Sequence, residues 1–290
     1  MKKKQVKISV SGSSGFLGRA LVASFREHGY YVQALTRRDF SGDAAELGAL
    51  LDGSDVVIHL AGAPVAKRWT KAYRQELYNS RILTTRKLLE AMKGLKTPPS
   101  AFICASAVGI YPDEGAHDEK STLYSDSFLG RLCRDWEAEA LQAQALCRTL
   151  CFRFGVVLGK EGGALQKMAM PFRFGLGGRI ASGRQMMSWV HVDDVIRAFH
   201  FAISRHELQG PVNITAPAPV SNREFTRVLA RTLKRPAVFP VPGFALRLIF
   251  GEGAVVLTGG QHVLPGTLLE HGFSFDFPDA GDALKDLLRG

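Results

Sequence analysis

The chain lacks long hydrophobic runs. No apolar stretch of its 290 residues approaches the roughly 18 residues that a membrane-spanning helix needs. Residues 2–4 are lysines, but the short strand that follows them ends in glycine, which is unlike a secretory signal. Hydrophobic residues make up 46% of the sequence, an ordinary share for a globular protein with a sizeable core. We therefore expect a cytoplasmic protein that makes no membrane contact.

Cysteines are few, and their spacing does not suit metal binding or cross-linking. The four are Cys104, Cys133, Cys147 and Cys151. None belongs to a C-x-x-C pair, and Cys104 lies in an apolar run typical of a buried strand. The spacing supports neither a disulfide framework nor a zinc site. We expect no bound metal.

The sequence also lacks a run of Lys and Arg interleaved with aromatic residues. Its net charge is +10, and the pI is near 9.6, but the basic residues are scattered. We therefore do not expect a nucleic-acid partner. An anionic small ligand would account for part of the positive charge, and a solvated basic surface for the rest.

The clearest signal lies near the start of the chain. Residues 7–18 alternate as a strand does and then place glycine at Gly12, Gly15 and Gly18 before a helical pattern begins. These glycines would permit a tight turn, close approach of a pyrophosphate, and close packing of helix on strand. Free N–H groups at the helix start would face the phosphates. The alternative is a purely structural strand-to-helix turn, which also favours glycine.

Two arginines follow the second predicted strand, Tyr31–Leu35. An acid at this point would hold the ribose 2′-OH of NAD. The sequence instead gives Thr36, Arg37 and Arg38, with Asp39 behind them. Arginines offer bidentate contacts to a 2′-phosphate, so NADP is favoured over NAD. A basic loop after an edge strand is the alternative.

The remaining pattern alternates strands with helices. It predicts a strand over residues 55–62, a helix over 69–92, strands over 101–106 and 149–158, a helix over 128–146, and a capped helix from Ser221 to about Leu233. Residues 40–53 are predicted to be a short connection. Such alternation predicts an α/β fold, a Rossmann-like doubly wound parallel sheet with a small C-terminal lobe.

We predict two units, a cofactor-binding domain over residues 1–235 and the lobe over residues 236–290. The first would carry a substrate-lobe insertion near residues 160–187. Within that insertion, residues 171–183 are rich in glycine, arginine and phenylalanine. This composition suits a mobile loop that grips an anionic ligand, with Arg173, Arg179 and Arg184 as its cationic cluster.

Four stretches together resemble the extended short-chain dehydrogenase/reductases, the NAD(P)-dependent epimerase/dehydratase superfamily. They are Gly12-x-x-Gly15-x-x-Gly18, residues 55–61, Ala105-Ser106-Ala107 running to Tyr111, and residues 189–194. Within the superfamily the chain is similar to the atypical branch of epimerase family proteins that lack Tyr-x-x-x-Lys. Residues 68–69, 79–81, 136–137 and 155–159 and the C-terminal lobe carry that finer likeness.

The resemblance implies that the usual proton relay is missing. Active members use a tyrosine whose pKa is lowered by a lysine four residues later, together with a nearby serine. Aligning Glu137 with the family glutamate puts Leu129 at the tyrosine position and Cys133 at the lysine position. The serine position falls on Ala107. Weak catalytic candidates are Tyr111, Cys133, Ser106 and Glu119, although a packing role for Tyr111 and a buried thiol for Cys133 are the better interpretations.

Cofactor contacts, by contrast, carry over residue by residue from the resemblance. They fall on Gly12, Ser13, Ser14, Gly15, Phe16, Leu17, Gly18, Thr36, Arg37, Arg38, Leu60, Ala61, Gly62, Glu76, Arg81, Ala105 and Val157. The implied cofactor is NADP(H), and the implied partners are a small-molecule substrate and, by analogy, a second copy in a homodimer. Two functions stay open: an NADP(H)-dependent oxidoreductase or epimerase-like enzyme, and a catalytically silent NADP(H)-binding sensor.

Overall fold

Twelve strands and eleven helices are found in the computed structural model, which describes residues 5–289. The strands are β1 (Lys7–Ser11), β2 (Tyr31–Leu35), β3 (Val56–His59), β4 (Ala101–Ala107), β5 (Ala116–His117), β6 (Arg148–Phe154), β7 (Val156–Leu158), β8 (Met186–Met187), β9 (Trp189–His191), β10 (Gly210–Ile214), β11 (Val220–Ser221) and β12 (His262–Val263). The helices are α1 (Phe16–Glu27), α2 (Ala44–Leu51), α3 (Lys71–Lys93), α4 (Phe128–Leu141), α5 (Gly163–Arg173), α6 (Val192–Ser204), α7 (Asn222–Leu233), α8 (Gly243–Phe250), α9 (Val255–Thr258), α10 (Gly266–Glu270) and α11 (Ala280–Arg289). Short 3₁₀ helices cover Arg37–Phe40, Val108–Ile110, Gln142–Ala145 and Glu252–Ala254.

Six parallel strands form the central sheet in the order β10-β6-β4-β3-β1-β2. All four residues of β3 are buried, as expected for a parallel strand covered on both faces. The strand order reverses direction between β1 and β3, and doubly wound sheets form their binding crevice beyond the carboxyl ends of the strands at such a point. This architecture confirms the predicted α/β class with a Rossmann-like doubly wound sheet.

Helices cover both faces of the sheet. On one face α1 and α6 bury Phe25 and Phe199 in a core cluster with the sheet residues. On the other face α2, α3 and α4 bury Leu47, Leu88 and Trp136. Each helix thus presents one apolar stripe to the sheet, and its position fixes the loop that precedes it at the sheet edge.

Three predicted elements are corrected by the structure. Residues 40–53, predicted to be a plain connection, contain α2, because the Asp43 side chain accepts a hydrogen bond from the Glu46 N–H and caps an eight-residue helix. The helix predicted to reach residue 146 ends as α4 at Leu141 and continues as a 3₁₀ turn. The strand predicted over 149–158 is divided at Gly155 into β6 and β7.

The division at Gly155 moves the chain from the central sheet to a smaller one. There β7 pairs in parallel with β9. A Cβ atom at Gly155 would lie 2.4 Å from the Ser188 carbonyl oxygen, so only glycine allows this close passage. The transition places β7 and α5 beside the carboxyl edge of the central sheet.

The C-terminal segment is attached through the carboxylate of Asp194. Its Oδ1 accepts the Asp276 N–H at 2.8 Å, and its Oδ2 accepts the Phe277 N–H at 3.0 Å. Arg197 donates to the same carboxylate. Asp194 therefore has a structural role.

Among residues 5–289 no helix combines the length and the apolar character that crossing a membrane requires.

Candidate functional site

The turn between β1 and α1 can be built only with glycine at two positions. Gly12 has φ +72°, and a Cβ atom there would lie 2.8 Å from the Ala61 nitrogen. A Cβ atom at Gly18 would lie 2.2 Å from the Gly12 carbonyl oxygen. Since both obstacles are backbone atoms, neither can move without displacing the turn. At Gly15 the nearest atom would be 3.2 Å away, so this position is less restricted.

The amino end of α1 is suited to bind an anion. Gly15 is its N-cap residue, and no side chain caps the first turn. The free N–H groups and the positive end of the helix dipole therefore face the crevice. Ser14 is exposed beside them, and its carbonyl oxygen accepts a hydrogen bond from Arg19.

The side chains of Phe16 and Leu17 pack against other residues rather than facing the crevice. The Phe16 ring packs against a glycine-rich segment, where a Cβ atom at Gly159 would lie 2.3 Å and one at Gly162 would lie 2.5 Å from the ring. Leu17 packs against the core. The contribution expected from both residues is therefore their backbone.

Predicted cofactor residues from three strand ends meet at this edge. The Ser13 hydroxyl donates to the Leu35 carbonyl oxygen at the end of β2, at 3.3 Å. The Leu60 N–H donates to the Ser11 carbonyl oxygen, at 3.2 Å, and brings the segment after β3 against the glycine turn. Ala61 and Gly62 continue along the crevice.

At the end of β2 the acid that follows the two arginines, Asp39, is already engaged. The Asp39 carboxylate accepts the Thr36 backbone N–H at 2.6 Å and the Thr36 hydroxyl at 2.9 Å in a capping box. Arg37 and Arg38 are exposed, and neither forms an ion pair with any residue between 5 and 289. Two cations are thus available where the adenosine ribose of a dinucleotide would lie.

Arg81 lies beside the crevice without a carboxylate partner in the described part of the chain. Its guanidinium donates to the carbonyl oxygens of Leu77 and Ala63 and lies over the Trp136 ring, 5.1 Å from the centroid. A Cβ atom at Gly62 would come within 3.1 Å of it. Burial lowers the pKa of this guanidinium from its ordinary value. An anion bound here would be attracted by a positive charge that no carboxylate neutralises.

The other three predicted cofactor contacts lie on elements other than the turn. Glu76 is exposed on α3, five residues before Arg81. Ala105 is buried within β4, and Val157 is partly buried in β7. These three remain predictions from the family resemblance.

Two of the three positions aligned with the proton relay carry no titratable group, and the third carries a thiol. Ala107 ends β4, Leu129 is partly buried on α4, and Cys133 is buried on the same helix. Burial raises the pKa of the Cys133 thiol to about 11, with the charge of Glu137 adding to the effect and Arg81 opposing it. The charge of Arg81 thus acts on position 133.

Two of the weak catalytic candidates, Ser106 and Tyr111, belong to a buried hydrogen-bond network. Glu137 accepts the Ser106 hydroxyl at 2.6 Å, and Arg153 donates to both carboxylate oxygens of Glu137, at 2.8 and 2.7 Å. Arg153 also donates to the Tyr111 hydroxyl, at 2.6 Å, and Tyr111 donates to Asn213. Burial raises the pKa of Tyr111 to about 12, although Arg153 opposes the shift. Tyr111 is fully buried and held as a neutral phenol.

Glu119 is engaged as well. Its carboxylate accepts the backbone N–H groups of Asn213, at 2.7 Å, and Thr267, at 3.1 Å. Burial raises the pKa of Glu119, and these N–H groups oppose the shift. The residue joins α10 to the end of the sheet, so it has a structural role.

Sequence reasoning missed Arg153 and Asn213. Arg153 occupies an otherwise apolar strand, and an arginine in such a strand needs a buried partner. This was the available signal. It does not identify the partners of Arg153, because Glu137 and Tyr111 lie 16 and 42 residues away on other elements, and Asn213 lies 102 residues from Tyr111.

His191, Asp193 and Asp286 form the one group between residues 5 and 289 whose ligand atoms are close enough to share a metal ion. The Nδ1 atom of His191 already accepts the Asp193 backbone N–H, at 3.1 Å, which caps α6. The ring also stacks on Phe277, with centroids 3.8 Å apart. Helix capping and packing account for this group.

The buried cysteines should resist alkylation. Burial raises the pKa of all four thiols, and Cys147 alone is partly exposed and so open to the reagent. Because the thiolate is the reactive form, iodoacetamide at pH 8 should modify native protein at Cys147 and spare the other three. Peptide mass spectrometry would measure this, with urea-unfolded protein as the control in which all four react. Labelling of Cys133 as fast as Cys147 would instead indicate an activated thiol.

The fold and this crevice define a dinucleotide-binding α/β protein of the short-chain dehydrogenase/reductase class. Residues 8–215 match the NAD dependent epimerase/dehydratase family, and the chain belongs to that family. Residues 241–287 match a second family, described as domain of unknown function DUF1731.

Relatives similar over nearly the whole chain extend this assignment. The epimerase family protein SDR39U1 homolog of Arabidopsis thaliana, described as chloroplastic, is 37% identical, covering 99% of this chain and 88% of the relative. The Mus musculus epimerase family protein SDR39U1 is 36% identical, covering 98% of this chain and all of the relative. The crystal structure of human SDR39U1 with NADPH is 33% identical with a TM-score of 0.92, covering 98% of this chain and all of that one. The chain is thus an atypical, SDR39U1-like epimerase family protein.

Proposed function

We propose that this chain binds NADP(H) at the crevice beyond β1 and β3. The observation that carries the proposal lies at the end of β2, where the Asp39 carboxylate caps Thr36 while Arg37 and Arg38 are exposed and unpaired. This arrangement suits a 2′-phosphate better than a free 2′-hydroxyl. The human structure with NADPH supports the same choice.

We further propose an NADP(H)-dependent oxidoreductase or nucleotide-sugar-epimerase-like activity on a small anionic substrate. When bound, the nicotinamide supplies or accepts a hydride. The chain's own residues hold the diphosphate at the start of α1 and offer the Arg81 guanidinium to an anionic group beside Gly62. Since Tyr111, Ser106 and Glu119 are engaged elsewhere, proton transfer would fall to water or to the substrate itself.

One observation favours the second candidate, a catalytically silent NADP(H) sensor. Ala107 and Leu129 carry no titratable group, burial raises the pKa of the Cys133 thiol, and the Ser106 and Tyr111 hydroxyls belong to the Arg153–Glu137 network. The cytoplasmic location, the homodimer, the two-unit boundaries and the absence of a nucleic-acid partner remain predictions.

The two candidates differ in turnover. Purified protein would be incubated with NADPH and a panel of carbonyl compounds and nucleotide sugars, with absorbance at 340 nm and product epimers followed. The enzyme proposal expects oxidation of NADPH or a new epimer with at least one compound class, lost on Arg81→Leu. Tight NADPH binding with no reaction across the panel would contradict it and favour the sensor.

The paired arginines should decide which nicotinamide cofactor binds. Arg37→Ala combined with Arg38→Ala removes both cations offered to the 2′-phosphate, so the affinity for NADPH should fall by roughly 10- to 100-fold. The affinity for NADH should change by less than about twofold, because NADH lacks that phosphate. Calorimetric titration with both cofactors measures the ratio, and NADH serves as the internal control. An equal loss for both would show that the arginines act on the fold.

A further inference from the structure

A basic groove on the surface of α7 lies outside the crevice described above. It has a volume of about 600 Å³ and is lined by side chains of α7, of the turn after it and of the segment near residue 179. Six of the lining residues are cations: Arg179, Arg223, Arg227, Arg231, Lys234 and Arg235. No acidic residue lines it. We call this the α7 groove.

The cations of the α7 groove are not neutralised by the protein. All six are exposed, and in the described residues none lies within ion-pair distance of a carboxylate. Arg223, Arg227 and Arg231 recur every four residues and so form one stripe, about 12 Å long at the helical rise. Like charges this close repel one another, and a multivalent anion would relieve that repulsion.

The end of α7 adds to the same surface. Lys234 has φ +53° and is one of two non-glycine residues with a positive φ between residues 5 and 289. Glycine is the residue that helix ends prefer in this conformation, and a side chain there costs about 1 kcal/mol. The left-handed turn ends the helix and lets Lys234 and Arg235 line the groove together.

The α7 groove is separate from the cofactor crevice. On the opposite face of α7, Phe225 and Leu229 are buried in a core cluster with α5 and α11. None of the lining residues belongs to the carboxyl edge of the central sheet. Of the three arginines expected to grip an anionic ligand, only Arg179 lines the α7 groove, while Arg173 lies at the end of α5 and Arg184 is exposed beside Gly183 without lining the groove.

We propose that the α7 groove is a second anion site, which takes a small soluble ligand bearing two or more phosphate groups. Arginines bind phosphate oxygens in bidentate geometry, and three of them on one stripe match adjacent phosphates. The lining contains no aromatic residue, which disfavours single-stranded nucleic acid, because its bases stack on aromatic side chains. The cavity size suits a metabolite.

The test uses inorganic tripolyphosphate as the probe, titrated by calorimetry into full-length protein saturated with NADPH. Saturation keeps the probe away from the start of α1. We expect one saturable site whose affinity falls with increasing salt. The Arg227→Gln, Arg231→Gln double variant should bind at least about tenfold more weakly and keep its affinity for NADPH.

The matched control is the Arg26→Gln, Lys96→Gln double variant, which removes the same charge from exposed positions elsewhere. It should bind tripolyphosphate within about twofold of the original protein. An equal loss in both double variants would overturn the proposal, since net charge alone would explain the binding. Absence of saturable binding would also overturn it, as would binding of an RNA oligonucleotide without binding of tripolyphosphate.

Discussion

Replacing Gly12 with alanine should weaken NADPH binding by roughly 100-fold or more. The new Cβ atom would lie 2.8 Å from both the Ala61 nitrogen and the Leu60 carbonyl carbon, and φ at this position is +72°. To relieve the contact, the glycine turn must move away from the segment after β3. That movement displaces the N–H groups at the start of α1, on which diphosphate binding depends. Calorimetric titration with NADPH measures the loss.

Gly29→Ala is the matched control for this substitution. Gly29 has φ +79°, almost the same as Gly12, but its Cβ atom would have no heavy atom within 4 Å. Each variant should therefore lose about 1 kcal/mol of stability from backbone strain, Gly12→Ala should lose more because of its contacts, and Gly29→Ala should keep its NADPH affinity. Similar NADPH affinity in the two variants would show that the turn tolerates a side chain and contradict the placement of the diphosphate.

The second large effect concerns stability. Glu137→Ala should lower the free energy of unfolding by about 3–5 kcal/mol, because it leaves the Arg153 guanidinium charged and buried. Arg153 is only 3% exposed. Burial disfavours its charged form, but the hydrogen bonds and charge of Glu137 outweigh burial and raise its pKa above the ordinary value. Urea unfolding followed by circular dichroism measures the change.

Two further variants separate the buried charge from other causes. Glu139→Ala, two residues along α4, breaks an ion pair whose Arg86 partner is 53% exposed, so it should lower stability by less than about 1 kcal/mol. The double variant Glu137→Leu, Arg153→Met should regain most of the lost stability, because it removes both charges together. A double variant as unstable as Glu137→Ala would contradict this explanation.

The crevice could be predicted because its parts are local in sequence. Strand, glycine turn and helix follow one another within residues 7–27, and the parallel sheet brings the loops after β2 and β3 to the same edge. The order of the elements along the chain therefore brings the Ser13 hydroxyl within hydrogen-bond distance of the Leu35 carbonyl oxygen. The capping of Thr36 by Asp39 could also have been predicted from the sequence, since the two residues are three positions apart.

The buried network could not be predicted in the same way. Its members come from β4, α4, β6 and β10, and the contacts from Tyr111 reach 42 and 102 residues along the chain. A sequence pattern shows that Arg153 needs a partner but not which acid supplies it. Helix α2 was missed for a different reason, because eight residues give too few turns for a clear period.

The charge of Arg81 has a consequence for engineering a proton relay at position 133. A lysine at position 133 would add a second cation beside a guanidinium that has no counter-ion in the described residues, and like charges in a partly buried site oppose each other strongly. A lysine at position 133 and Arg81 would thus each disfavour the charged form of the other. Grafting tyrosine and lysine onto α4 would give a working pair only if Arg81 were exchanged at the same time.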